Sequence, residues 1–245
     1  MKTIKYRESY SSAMFHKLLP RAWKVLIFLM LALIILTSAM FIPAMKQYLW
    51  GIAITVVIVF VLVRKHSDSL FENIGNFKKG KRGEDEVAAM LKENLDDNYT
   101  CVENYMIPNA RIGDIDGLLI GPKGVVILEV KNYQGVFRIS GPDLYRRNRG
   151  DNYTLYKKSP FIQATRQKNY LSKYFKDKGI GDVPVKAIVI FPEAKISSIN
   201  GETGVFVTEN NKLVNHIFQL SSVPNWDSSL ENQIINAFDI KNAIN

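Results

Sequence analysis

Two long apolar runs occupy the first quarter of the chain, and shorter alternating segments follow them. Val25 to Ile42 holds eighteen residues without a charge, and Leu49 to Val63 holds fifteen more. A membrane-crossing helix needs roughly 20 predominantly apolar residues. The pattern therefore predicts a helical hairpin over 25–63, with spans 25–42 and 47–63 closed by Pro43-Ala44-Met45-Lys46. A signal peptide or a buried helical pair would also show an apolar run. The length of the first run and the second run directly behind it weigh against both.

Beyond the hairpin the periodicity changes. Residues 64–82 read as a basic linker, and Gly83 to Leu95 as an amphipathic helix with Val87, Ala88, Leu91 and Leu95 on one stripe. A strand is expected near Tyr99 to Tyr105, then a hairpin from Gly113 to Lys131, then a looser strand around Val136 to Ile139. Pro160 to Phe175 reads as a helix, with proline suited to its first turn. Val185 to Phe191 is a strong apolar strand ended by Pro192, and Gly204 to Val207 a shorter one. Ser228-Ser229-Leu230-Glu231 forms a capping box for a last helix within 221–245. This order predicts an α/β (α+β) domain, a mixed sheet flanked by helices, over 83–220.

The hairpin carries the chemistry. Its turn is Gly121-Pro122-Lys123-Gly124. Centred between Pro122 and Lys123, it places Asp116 opposite Glu129 and Asp114 opposite Lys131, all on one face of the ribbon. Carboxylates held this close repel unless positive charge lies between them. A divalent metal with oxygen ligands, magnesium foremost, answers that need, and Lys131 adds a point charge. A solvated polar face gives the same alternation, but the unbroken apolar run Val125 to Leu128 before Glu129 marks a buried strand.

Charge changes the picture only once it is divided. The chain carries +9, of which residues 1–24 hold +5 and Lys46 one more. Bases therefore flank both apolar runs (Lys17, Arg21, Lys24 before, Arg64 and Lys65 after), which predicts cytoplasmic termini. A second excess covers residues 138–178, where Arg146, Arg147, Arg149, Lys157, Lys158, Arg166 and Lys168 alternate with Tyr145, Tyr153, Tyr156 and Tyr170. That mixture suits phosphate neutralisation and base stacking; a solvated or lipid-facing surface suits it as well. Cys101 is the only cysteine, so no intrachain disulfide forms. The three histidines, His16, His66 and His216, do not assemble a triad, and no phosphate-binding glycine loop follows a strand, which argues against a nucleotide cofactor.

Gly83-Glu84, Ile115-Asp116 with Leu118 and Ile120, the Gly121-Pro122-Lys123-Gly124-Val125 turn, and Glu129-Val130-Lys131-Asn132 with Gly135 beyond together resemble the NERD (nuclease-related) domain of the PD-(D/E)xK superfamily. The resemblance covers about residues 77–190. Ile115 stands where the superfamily name has proline, and Gly117 where many members carry a larger polar residue. The resemblance implies a restriction-endonuclease-like fold and a magnesium- or manganese-dependent nuclease, with DNA favoured over RNA. It implies metal binding by Asp116 and Glu129, with the Val130 carbonyl and Glu84 as further ligands, Lys131 as the catalytic cation and Gln163 beside the site. Read from the residues alone, Glu84 is also explained as a charge at a helix N-terminus, and Gln163 as a buried amide bonded to backbone. A non-catalytic nucleic-acid-binding module or a membrane-bound interaction protein are the competing functions.

Overall fold

The computed structural model describes residues 1–6, 10–40, 48–106, 110, 112–156 and 159–238. The chain divides into two units, Ser11–Lys79 and Met1–Tyr10 with Gly80–Asn245. The first unit is therefore an insertion near the start of the second.

Within the inserted unit run helix α1 (Tyr10–Met40) and the first part of helix α2 (Leu49–Asn94). Among the described residues, one helix is long and apolar enough to cross a membrane, over Ser12–Ile35, with mean hydropathy 2.1. The expected pair of spans, 25–42 and 47–63, is thus met by one such helix that starts earlier. Lys17, Arg21 and Lys24 lie inside α1, which runs on through Pro20; lysine and arginine are good helix formers. The expected turn at residues 43–46 lies outside the described residues. The apolar run from Leu49 opens α2, which does not end at Val63 but continues to Asn94. Residues 64–82 are accordingly helical and not an open linker; they contain no proline, and their charged residues tolerate a helix well. Trp23, Ile35, Trp50 and Ile54 are among the large apolar side chains left exposed in this unit.

The second unit is built on two sheets. Among the described residues its strands are β1 (Lys2–Lys5), β2 (Thr100–Tyr105), β3 (Ile115–Gly121), β4 (Gly124–Val130), β5 (Gly135–Ser140), β6 (Asp143–Arg147), β7 (Tyr153–Leu155), β8 (Val185–Phe191), β9 (Ala194–Asn200) and β10 (Phe206–Glu209). The larger sheet has the order β1-β2-β3-β4-β8-β10, the smaller β7-β6-β5-β9. The larger one is mixed: β2, β3 and β4 form an antiparallel meander, while β4 pairs with β8 in parallel and β1 with β2 in parallel. Helices α3 (Pro160–Asp177), α4 (Leu213–Gln219) and α5 (Ser228–Ala237) complete the unit.

Period-two alternation divides the sheet between two cores. Leu118, Ile120, Val125 and Ile127 join Phe161, Leu171 and Phe175 of α3 on one face. Leu119, Val126, Leu128 and Ile190 join Val87 and Leu91 of α2 and Ile217 of α4 on the other. A side chain of this size contributes about 1.5–3 kcal/mol when fully buried, so a one-residue register slip would invert both layers. Glu129, on the parity of Val125 and Ile127, consequently faces α3.

Two expectations are corrected here. Residues 1–24 are not wholly a flanking segment, since β1 is an edge strand of the main sheet, with Ile4 paired to Val102. The last helix is capped by Asp227 and not by Ser228: the Asp227 side chain accepts from the Leu230 N–H at 2.8 Å. Glu231 instead accepts a hydrogen bond from the Thr100 hydroxyl.

Candidate active site

The hairpin pairs in the expected register, with Gly117 opposite Leu128 and Gly121 opposite Gly124. Continued by one residue, that register brings Asp116 across from Glu129. The Val130 N–H donates to Asp116 Oδ2 at 2.8 Å, so the acid of one strand is fastened to the backbone of the other. Lys131 Nζ forms an ion pair with Glu129 Oε1. From α3, Gln163 Nε2 donates to Glu129 Oε2 at 3.0 Å. Asp116, Glu129, Lys131 and Gln163 are thus gathered at the carboxyl end of β4. Asp114 precedes β3, and its carbonyl accepts from Gln167 Nε2 at 2.8 Å.

Glu129 is completely buried, whereas Lys131 keeps 22% of its side chain exposed. The cluster is therefore reached from the lysine side, with Glu129 at its floor. Burial, and then the charge of Asp116, push the Glu129 carboxyl up to about 8; interactions with Lys131 and Gln167 oppose that rise. Asp116 is raised as well, chiefly by burial, with Lys131 and the Val130 N–H acting in the opposite direction. For Lys131 burial favours the neutral amine, but Glu129 and Asp116 exceed it, so the net direction is upward and the group is an ammonium. Tyr133, two residues on, is pushed up to about 12, mainly by burial. Burial holds both carboxyls toward the neutral form, and positive charge placed beside them favours their ionised forms.

Glu84 is placed differently from the sequence reading. It lies well inside α2 and not at a helix N-terminus, so a dipole explanation does not apply. The α2 segment packs through Val87 and Leu91 on the face opposite the one bearing Glu129. Among the described residues no three Asp, Glu, His or Cys side chains form a metal-holding group, so Glu84 does not join Asp116 and Glu129 as a third direct carboxylate. What brings α2 to this end of the sheet is Gly83: a Cβ built there would lie 2.7 Å from Asn132 Cβ. Only the missing side chain permits that approach.

The oxygen donors present are hard ones, two carboxylates with the Val130 carbonyl at the same strand end, which is the donor chemistry magnesium and manganese prefer. On that criterion the residues fit a divalent cation.

The basic strip is divided between elements. Arg146 and Arg147 lie exposed on β6, and Arg149 in the turn after it. Arg147 is tied to Asp151 at 2.5 Å and to the Gly150 carbonyl. Arg166 is exposed on α3, while Lys168 donates to the Gly204 carbonyl at 2.7 Å. Lys157 and Lys158 lie outside the described residues. The tyrosines do not form an open stacking platform. Tyr156 and Tyr170 pack against the core, and Arg138 sits over both Tyr145 and Tyr153 at 5.3 and 4.7 Å from the ring centroids.

Sequence reasoning passed over Gln167, which is fully buried and one helical turn beyond Gln163. Its signal was present, since residues four apart share a helix face. It also passed over Glu193, which accepts from Gln134 Nε2 at 2.7 Å and Asn132 Nδ2 at 3.4 Å, on the segment that follows Lys131.

With this geometry in view, comparison with known families identifies the domain: residues 79–192 match the family model described as the nuclease-related domain, NERD. The match takes in Glu84, Asp116, Glu129, Lys131 and Gln163. No curated protein and no solved structure gives a significant match.

Proposed function

We propose that this protein is a membrane-anchored, cytoplasm-facing nuclease of the PD-(D/E)xK type, hydrolysing phosphodiester bonds in nucleic acid, with DNA the favoured substrate. The observation that carries the reading is the convergence of Asp116, Glu129 and Lys131 at one strand end inside a nuclease-related domain. Pure phosphate binding needs bases and gains nothing from two clustered acids.

Asp116 and Glu129 would hold a magnesium or manganese ion, with the Val130 carbonyl as a further oxygen donor and Glu84 through water, for Lewis-acid polarisation of a phosphate oxygen. Lys131, whose side chain is partly exposed at the mouth of the cluster, orients the attacking water and stabilises negative charge growing on the phosphate. This is electrostatic catalysis without a covalent intermediate. Gln163 spends an amide hydrogen on Glu129 and is a positioning residue. Arg146, Arg149 and Arg166 are exposed and available to phosphates flanking the scissile one.

Topology supports the two-span anchor. Strand β1 and the residues from Gly80 belong to one folded unit, so they share one side of any bilayer. A crossing by Ser12–Ile35 then requires a return before Lys79, and the run from Leu49 is the remaining apolar segment. The flanking bases put both ends in the cytoplasm. A fluorescent-protein fusion after Asn245 should fluoresce inside the cell, and a periplasmic phosphatase fusion there should stay inactive; the reverse would refute this orientation.

The test of activity uses the full chain in detergent, since a fragment starting after the helices would lack β1. Single-stranded DNA, duplex DNA and RNA are incubated with magnesium, manganese or chelator, with wild type and Glu129→Gln. Cleavage that disappears with chelator and in the variant supports the enzyme. Metal-independent binding without cleavage supports a non-catalytic module instead.

A further inference from the structure

Lys131 is followed at once by a tight turn, in which the Tyr133 N–H donates to the Lys131 carbonyl at 2.8 Å. The ring of Tyr133 packs against Tyr156, Phe137 and Phe191, with centroid separations of 4.9, 5.8 and 6.1 Å. Phe191 locates it. The β4–β8 register pairs Val130 with Ile190 and, continued by one residue, sets Lys131 beside Phe191. Phe191 and Tyr133 belong to the core on the α3 side of the sheet, the side that Glu129 faces. Tyr133 therefore stands at the carboxyl end of β4, on the face that carries the acid.

Hydrolysis by Asp116, Glu129 and Lys131 leaves this tyrosine without a task. Among the described residues its hydroxyl has no hydrogen-bond partner, and with the side chain only half-buried that oxygen is not sealed from solvent. Phenylalanine would pack against the same three rings, so packing does not account for the oxygen. Burial pushes the phenol upward, so it keeps its proton near neutral pH; Lys131, Glu129 and Asp116 also act on it, which puts it within electrostatic reach of the cluster. Crowded by three aromatic neighbours, the ring offers no open face for stacking a base. What it offers is an O–H. A hydroxyl beside an ammonium gives two donors at one place, which suits a ligand whose free atoms are all acceptors, the non-bridging oxygens of a phosphate.

We propose that Tyr133 is a substrate-contacting residue: its phenol O–H donates to a non-bridging oxygen of the phosphate that Lys131 holds. The proposal deepens the nuclease reading and rests on it. Tyr156, Phe137 and Phe191 brace the ring, so the donor is held in place before substrate arrives, and little side-chain freedom is lost on binding.

Tyr133→Phe removes the oxygen and keeps the ring. Binding of a labelled single-stranded oligonucleotide to the full chain in detergent is measured by fluorescence anisotropy in chelator, where the nuclease reading permits no cleavage, and steady-state cleavage is measured in magnesium. The variant should melt with wild type, because an unpaired hydroxyl contributes nothing to the fold. It should bind at least about tenfold more weakly, as expected for a lost hydrogen bond to a charged group, and its KM should rise by more than its kcat falls. In a Lys131→Met background the same change should weaken binding less, since two donors to one phosphate do not act independently. Equal binding by wild type and Tyr133→Phe, no binding by wild type, a lower melting temperature for the variant, or an equal loss in the Lys131→Met background overturns the contact. Wild-type cleavage that Tyr133→Phe leaves unchanged sinks the contact alone, whereas binding that depends on Tyr133 with no cleavage in magnesium sinks the nuclease reading alone.

Discussion

The backbone N–H of Val130 donates to Asp116 Oδ2 at 2.8 Å, past the last ladder pair of the hairpin. That bond spans the two strands and fixes the acid of one against the segment that carries Glu129 and Lys131 in the other. The β3–β4 hairpin, whose Asp116 and Val130 are fourteen residues apart in the chain, thereby becomes a rigid frame for three charged groups. Rigidity matters because electrostatic catalysis depends on charges that do not have to reorganise as the reaction proceeds.

Glu129 sets a pH dependence in metal-free protein. Its ordinary value of 4.5 is raised to about 8, by burial first and Asp116 second. The folded state thus favours the protonated form, so this stabilisation is full below about 4.5 and is lost as pH rises through about 8. In chelator, wild type should melt at progressively lower temperature relative to Glu129→Gln as pH goes from 4.5 to 8, and the gap should level off above that. Paired thermal melts check it. A gap that stays constant over this window would show that Glu129 does not carry the cost.

Gly83 is the second point of leverage. In an ordinary helix interior Gly→Ala stabilises by about 0.5–1 kcal/mol. Here the new Cβ meets Asn132 Cβ at 2.7 Å, so α2 or the segment after Lys131 has to move. Gly83→Ala should lower both the melting temperature and the cleavage rate. A rise in melting temperature by the usual helix increment, with cleavage intact, would mean that the close approach is not needed.

Strand β1 ties the start of the chain to the domain. Ile4 packs against the core and pairs with Val102, so Ile4→Pro removes a ladder donor and leaves part of the β2 edge open. The expected result is a lower melting temperature, with concentration-dependent aggregation of the detergent-solubilised protein in light scattering. Wild-type behaviour in both assays would show that β1 adds little to the domain.

Much of the frame could be read from the sequence, for physical reasons. The β3–β4 register followed from strict alternation around a Gly-Pro turn, and β8 and the start of α3 from an apolar run and a proline at N1. β1, β6, β7 and β9 could not be read in the same way. Their segments, such as Lys-Thr-Ile-Lys and Ala-Lys-Ile-Ser-Ser-Ile-Asn, are short and half polar, and their pairing is decided by partners elsewhere in the fold. The smaller sheet therefore looked like a basic strip, and Tyr145 and Tyr153 looked free although Arg138 occupies their faces. Glu84 was misjudged because the helix start was set at Gly83, where a glycine resembled a boundary; its purpose is the approach to Asn132, and α2 runs through it. Gln163 was placed correctly toward the domain body by helical spacing, and the same spacing would have found Gln167.

The central claim is that Lys131, held by Glu129 and Asp116, acts on a phosphodiester. Its most direct test is single-turnover cleavage of a labelled duplex oligonucleotide by the full chain in magnesium, wild type against Lys131→Met. The account expects cleavage by wild type and a rate at least about a hundredfold lower in the variant, the usual loss when one charge-stabilising donor is removed. Equal rates in the two proteins, or wild-type cleavage that persists in chelator, would contradict it.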